Sequence, residues 1–414
     1  MTPDHYIELN LTTNFILLFI HNFFTPSRQN PHLTQSSKQP RGIVRRILFI
    51  DNQVPLFDQS AGARSTLLYL KLFKSMGHDV TFFAYDSNAE KSYTKKLLDL
   101  GVKIRLRSNN KILWRLRIFW DSLLNDVVFL NRPDITRNVI RYLAPRSLKR
   151  SIYQCHDLHC IRLQRENEIT KDSSINSAII RYREIEKYIY KRIHTALTFS
   201  SFEKEIIEKE FGHSRTHVVP LLFFDESPPA INDFANRKNL LFVGGFNHSP
   251  NIDAVLWLVN EIIPKVKIAI PNINLYVVGS NTPDSIKSLS SDSVKIFGRV
   301  DDQKIDEIYS SIRMVVVPLR YGAGVKGKVI EAIQKRIPLV STTIGIEGIP
   351  ELGSILKPSD TAADFASEIV RTYLSENFLR RMSIDFDCYA KKHFSLQGVR
   401  ELMGRILEAA ACRA

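Results

Sequence analysis

Lys326, Lys328 and Glu331 fall within Pro318-Leu319-Arg320-Tyr321-Gly322-Ala323-Gly324-Val325-Lys326-Gly327-Lys328-Val329-Ile330-Glu331-Ala332, directly after the apolar run Met314-Val315-Val316-Val317. A strand that enters a glycine-rich loop and then a helix gathers free backbone N–H groups and a positive dipole end in one place, where a diphosphate can rest. The lysines add mobile positive charge. Chemistry that drives negative charge onto a departing diphosphate needs such fixed cations and N–H donors, and no metal-ligand cluster is evident to replace them. Gly322, Ala323 and Gly324 keep side chains out of the way of an approaching ligand. Lys328 and Glu331, three residues apart, share a face of the helix's first turn. The plain alternative is a strand-to-helix turn with solvated lysines.

A second concentration of reactive groups is Tyr153-Gln154-Cys155-His156-Asp157-Leu158-His159-Cys160-Ile161-Arg162, which follows a predicted strand. His156, Asp157, His159 and Arg162 at a strand's carboxyl end could bind sugar hydroxyls and shuttle a proton, as an acceptor site requires. His156 and Asp157 are the stronger candidates, while His159 could equally be a hydrogen-bonded core histidine. Zinc held by Cys155, His156, His159 and Cys160 is the rival reading, but the spacing fits no standard site. A third group, Lys103-Ile104-Arg105-Leu106-Arg107 with Lys111, Trp114, Arg115, Arg117, Phe119 and Trp120, interleaves basic and aromatic residues. That mixture suits an anionic bilayer surface or single-stranded nucleic acid, or else a strand and helix whose aromatics are core.

The elements that must position these groups are α/β in pattern. The chain has 414 residues, 44% of them hydrophobic, enough for two cores. Short β-branched runs beginning at Arg45 alternate with helical patterns through Phe199, a parallel sheet covered on both faces. A proline-bearing hinge follows near Phe223 to Ala230, and the strand-glycine-helix pattern restarts at Leu240-Leu241-Phe242-Val243-Gly244-Gly245. We therefore divide the chain into an extension (1–44), a first Rossmann-like domain (45–222), a hinge (223–239), a second such domain (240–380) and C-terminal helices that pack back on the first domain (381–414). The apolar run within residues 14–24 is shorter than a membrane span and lacks the features of a secretory signal. Four scattered cysteines indicate a reducing compartment, and a net charge of +14 indicates an anionic partner.

From about Ile47 to about Leu374 the chain resembles the group 1, or family four, retaining glycosyltransferases of GT-B architecture, in which two Rossmann-like doubly wound domains face each other across a cleft. The resemblance rests on Phe242-Val243-Gly244, Pro250-Asn251-Ile252-Asp253, Val278-Gly279-Ser280, Ile296-Phe297-Gly298-Arg299-Val300, the loop from Pro318 to Ala332 and Pro338-Leu339-Val340-Ser341-Thr342; in the first domain Asp51, Gly62-Ala63-Arg64 and Gly77-His78-Asp79-Val80 are similar more weakly. It implies a hexosyltransferase that moves a sugar from a nucleotide diphosphate donor to an acceptor hydroxyl with retention, and without a cofactor or bound metal. The first domain would hold the acceptor and the second the donor. Glu331 would accept hydrogen bonds from the donor ribose, Gly62, Gly244 and Gly245 would lie against the donor with Arg64 adding charge, Arg299 would lie against the base, and Glu347 near the phosphates. Two departures stand out: Ala323 occupies the place of a glutamate that contacts the transferred sugar in much of the family, and Gly245 stands where a basic residue is common.

The expected partners are a nucleotide-sugar donor and a glycan or lipid-linked acceptor, with an anionic membrane surface as a further one and no nucleic acid. The expected role is cell-surface polysaccharide or lipid-linked glycan synthesis, in the cytoplasm or on the inner face of the membrane. Two other readings are a GT-B-shaped protein that binds nucleotide sugar without turnover and a basic nucleic-acid-binding protein; no nucleic-acid-binding motif supports the latter.

Overall fold

A computed structural model describes residues 43–412, apart from residues 88, 89, 227, 230 and 232. The apolar run within residues 14–24, and nearly all of the expected extension, lie outside the described residues. The first domain is a seven-stranded sheet, β1 (Arg46–Asp51), β2 (Asp79–Ala84), β3 (Lys103–Leu106), β4 (Val127–Asn131), β5 (Ser151–Cys155), β6 (Thr195–Thr198) and β7 (Thr216–Val218), in the order β3-β2-β1-β4-β5-β6-β7. Its helices include α1 (Ala61–Ser75), α2 (Lys91–Asp99), α3 (Lys111–Leu124), α4 (Pro133–Val139), α5 (His159–Thr170), α6 (Asn176–Tyr190) and α7 (Ser201–Glu210). The second sheet has five strands, β8 (Lys238–Val243), β9 (Leu275–Val278), β10 (Val294–Gly298), β11 (Ile312–Val317) and β12 (Leu339–Ser341), in the order β10-β9-β8-β11-β12. Around it lie α8 (Ser249–Trp257), α9 (Ile263–Ala269), α10 (Asp302–Ser311), α11 (Gly327–Gln334) and α12 (Ala362–Leu374). Every strand pairing is parallel.

The central strands read as they do because both faces are covered. β4 and β11 are buried along their whole lengths, and each is apolar apart from one residue, Asn131 in β4 and Arg313 in β11. Phe49 of β1 stacks on Phe129 of β4 at 4.7 Å between centroids and on Phe82 of β2 at 5.7 Å, which fixes three neighbouring strands through one aromatic layer. In each sheet the first strand lies between the second and the fourth, so each has a switch point, β1/β4 and β8/β11, where the chain reverses its direction of travel across the sheet. Ligands of open parallel sheets bind at the carboxyl ends of strands at such points.

Two long helices close the chain, α13 (Glu376–His393) and α14 (Leu396–Ala411). Between them Phe224 donates its N–H to the Phe394 carbonyl at 2.9 Å and accepts from the Leu396 N–H at 2.9 Å. Arg400 of α14 then donates to the Ser75 hydroxyl at the end of α1, 2.9 Å away. The backbone thus passes between the two domains twice.

Three local features complete the sequence reading. β7 has no apolar run to announce it, being three residues long with an exposed His217 at its centre. α8 begins at Ser249, because Pro250 is tolerated in a first turn, and it widens into a π-helical turn over Leu258–Ile262 before α9. Pro264 follows that turn and offers no N–H to an ordinary helical ladder. Trp114 takes the core alternative given for the aromatics of the basic stretch, wedged edge-on between Tyr85 and Tyr142 at 5.7 and 5.3 Å.

Candidate active site

The β1/β4 switch point is organised around Asp51, the buried last residue of β1. Its carboxylate accepts from Asn131 Nδ2 at 3.0 Å, Thr66 Oγ1 at 3.2 Å and Arg132 Nε at 3.4 Å. Arg132 has a φ of 63°, a conformation rare for a side-chain-bearing residue, and it follows directly on β4. A Cβ on Gly62, in the first turn of α1, would come 3.1 Å from His156 Nδ1 and 3.3 Å from an Arg132 guanidinium nitrogen. The absence of a side chain there keeps the start of α1 against both groups.

In the second domain the β11–α11 loop turns through left-handed Gly324, at φ 66°. α11 starts after Lys326 without a side-chain cap, so no side chain claims the first-turn N–H groups. Lys326 Nζ donates back to the Ala323 carbonyl at 3.2 Å and to that of Gly324. Lys328 Nζ donates to Asn251 Oδ1 at 2.7 Å and lies 4.0 Å over the Phe242 ring, while Asn251 Nδ2 donates to the Gly245 carbonyl at 2.7 Å. A Cβ on Gly244 would sit 2.8 Å from both Asn251 and Lys328 Nζ, so only glycine fits beneath this pair. Burial draws Lys326 down to about 8; burial, helped by neighbouring Lys326, draws Lys328 down to about 7.

These two sets of loops meet. A Cβ on Gly327 would be 2.5 Å from Ala61 Cβ, so α11 and α1 touch at this one point, where only glycine fits. Arg64 of α1 donates to Glu331 Oε1 of α11 at 2.8 Å, and Tyr309 lies 3.4 Å from the other oxygen. Gly324 packs on the His156 carbonyl, and its N–H donates to Glu203 Oε1 at 3.0 Å. Arg165 of α5 forks onto Glu347 at 2.7 and 2.8 Å and reaches the Gly322 carbonyl at 2.8 Å. Arg299 meets Asp58 at 2.5 Å on the other side. It also lines a cavity of about 560 Å³ with Asn281, Thr282, Ile296 and Phe297.

Of the residues singled out from sequence, Gly62, Arg64, His156, Asp157, Gly244, Gly245, Gly322, Ala323, Gly324, Lys326, Lys328 and Glu331 come together around this meeting point. Arg299 lies at the rim. Glu347 is occupied by Arg165 at the end of the loop. Arg162 holds the Asp157 carboxylate at 2.8 Å and His159 Nε2 is 3.4 Å from it; these two neighbours, Arg162 foremost, hold the group well below the usual carboxylate range despite its burial. Asp157 is therefore a fixed anion, and His159 turns its ring onto Tyr182. His156 differs: both ring nitrogens are buried with no protein partner, and burial beside Arg132 keeps the imidazole neutral. Cys155 and Cys160 are buried in the core behind the strand with thiol pKa values pushed up, and among the described residues no cluster of three or more His, Cys, Asp or Glu could hold a metal ion.

Three residues escaped the sequence reading, Arg132, Arg165 and Glu203, while Asn251 entered it only as part of a motif, with no role. Glu203 follows Ser200 in the S-x-x-E pattern that marks a helix start. Ser200 Oγ does cap the Glu203 N–H at 3.2 Å, but the Glu203 carboxylate accepts from Leu158 N at 2.9 Å, Gly324 N at 3.0 Å and Thr198 Oγ1 at 3.1 Å. Burial lifts its pKa to about 8.

Residues 237–375 match the family model of the group 1 glycosyl transferases. The match covers the second domain, where the chain is similar to the group 1 glycosyl transferases. A 44.6 kDa protein from the cps region of Klebsiella pneumoniae is 22% identical over 380 residues, spanning 84% of this chain and 95% of that protein. Among solved structures, sucrose-phosphate synthase from Thermosynechococcus elongatus superposes with a TM-score of 0.65 at 14% identity, over 87% of this chain and 98% of that one. HepE of Anabaena, solved with UDP-glucose, superposes with a TM-score of 0.63 at 14% identity, over 88% and 99%. At such identities the likeness is one of fold, a pair of Rossmann-like domains.

Proposed function

We propose that the protein transfers a hexose from a nucleoside diphosphate-sugar to a hydroxyl of a glycan or lipid-linked acceptor, with retention and without a metal ion. The observation that carries this reading is the convergence of an uncapped helix start, Lys328 and the Arg64–Glu331 pair at the meeting of two strand-end switch points. The departing diphosphate would lie on the α11 N–H groups, with Lys328 and Arg64 compensating its charge. Donor entry would part Arg64 from Glu331, sending the guanidinium to phosphate and freeing the carboxylate for the ribose hydroxyls. Arg299 and the cavity beside it would take the base. On the acceptor side His156, neutral and unpartnered, could receive a hydrogen bond from the attacking hydroxyl while Arg132 and Asp157 hold its surroundings fixed. The UDP and UDP-glucose bound by HepE support a nucleotide donor here as well.

A thermal-shift screen of UDP, GDP, ADP and CDP tests the reading: one or more should raise the melting midpoint, and none doing so would contradict it. A second expected result concerns protons. In the empty site Lys328 loses its proton above about pH 7. A bound diphosphate favours the charged form, so at pH 8 binding takes up protons and affinity falls as pH rises further. Calorimetry of the stabilising nucleotide in buffers of different ionisation enthalpy reads that uptake. Lys328→Met should remove most of it, and equal uptake in the variant would rule out Lys328 as the group that titrates.

A further inference from the structure

Helix α3 is apolar on the wrong side for a helix packed on a sheet. Its inner face buries Trp114, Ile118, Asp121 and Ser122. Its outer face carries Ile112, Leu113, Leu116, Trp120, Leu123 and Leu124, each between 36% and 67% exposed. At about 100° per residue these six side chains occupy an arc of roughly 120°, one unbroken solvent-facing stripe. Scattered apolar residues on a surface are ordinary, but a continuous stripe along the length of a helix marks an interaction face.

The charge around the stripe identifies what it meets. From Lys103 to Trp120 the sequence contains Lys103, Arg105, Arg107, Lys111, Arg115 and Arg117 and no acidic residue. The first acid, Asp121, is buried and lies near Arg105 and Arg117. A second copy of this chain seated on the stripe would bring these cations against their own duplicates. An anionic lipid surface would accept both features, apolar side chains in the acyl boundary and cations among the head groups, with Trp120 at the interface. Placement agrees: β3 is the edge strand and α3 begins just beyond its carboxyl end. That is the same end of the sheet from which Asp51, Arg132 and His156 project. No helix among the described residues is long and apolar enough to cross a membrane, so this contact would be one of lying on the surface.

We infer that the outer face of α3 seats the protein on an anionic membrane, with the stripe inserted at the head-group boundary and the acceptor side of the active site beside the bilayer. The seating on the membrane goes beyond the proposed transferase activity and does not depend on it, because vesicle binding is read without donor or acceptor; only the naming of the nearby side as the acceptor side rests on that reading. The test mixes the full chain with vesicles of phosphatidylcholine alone or with added phosphatidylglycerol. We expect co-sedimentation with the anionic vesicles only, reversed by salt, and at least tenfold weaker partition for the Leu116→Gln, Trp120→Gln double variant. Trp114 and Trp257 are buried, so a blue shift of tryptophan emission on vesicle addition reports Trp120 and should vanish in Trp120→Gln. An unchanged circular dichroism spectrum and nucleotide thermal shift in the double variant show that it is folded. Equal binding to neutral vesicles, or undiminished binding by the double variant, would overturn the inference. So would a stable dimer that the same variant splits, with no vesicle binding by the wild type.

Discussion

Lys328→Ala lowers turnover by roughly 10²- to 10³-fold, about 3–4 kcal/mol of transition-state stabilisation, while nucleotide affinity falls far less. Charge on the leaving diphosphate peaks in the transition state, and an interaction that strengthens there appears in kcat. Lys328 is placed for this by Asn251, which holds Nζ at 2.7 Å, and by Gly244, whose missing side chain leaves the space. Lys328→Met keeps the bulk and should lose as much as alanine does. Lys326→Ala should cost less turnover, since Lys326 Nζ is already tied to the carbonyls of its own loop. Glu331→Ala should behave differently, weakening nucleotide binding about tenfold along with turnover, because a ribose contact exists before chemistry begins. Steady-state kinetics and nucleotide titration separate the two patterns. A folded Lys328→Ala enzyme with unchanged kcat would reduce this loop to a turn.

Glu203→Ala should be the most damaging substitution away from the donor loop. It would leave two buried backbone donors, Leu158 N and Gly324 N, without a partner, at a cost of about 1–3 kcal/mol each. These donors belong to different domains: one follows the acceptor-side His156 and Asp157, the other sits in the donor loop. Denaturant unfolding of the variant should show a clear loss, and donor turnover should fall with it. Glu203→Gln retains an amide oxygen that can take both N–H groups, so most of the stability and activity should return. A glutamine variant as impaired as alanine would mean that the negative charge, rather than the acceptor geometry, is what the site needs.

The fold was readable where burial on both faces forces long apolar runs. The repeated strand-glycine-helix unit predicts a second sheet, as found. β7 was not readable, because three residues with a polar centre carry no periodic signal. In the site, the glycines, lysines and Glu331 announced themselves because their chemistry is local: a loop, a first turn and a shared face. The residues that join the halves did not. Arg165 meets Glu347 across 182 positions and Glu203 meets Gly324 across 121, and within the second domain Lys328 meets Asn251 across 77. No window on the sequence contains such a pair, and Glu203 in particular looked like an ordinary helix-start residue. Asp157 was legible as a reactive carboxylate, but only the fold reveals that Arg162 and His159 already hold it.

The most direct test is release of sugar from labelled UDP- and GDP-sugars by the full chain, compared with Lys328→Met and Glu331→Ala. The account predicts that at least one donor is hydrolysed slowly by the wild type without an acceptor, that Lys328→Met abolishes this at saturating donor, and that Glu331→Ala raises the donor concentration required. Binding of a nucleotide sugar with no turnover under any condition would make the protein a nucleotide-sugar-binding module, and hydrolysis indifferent to both substitutions would place the donor site elsewhere.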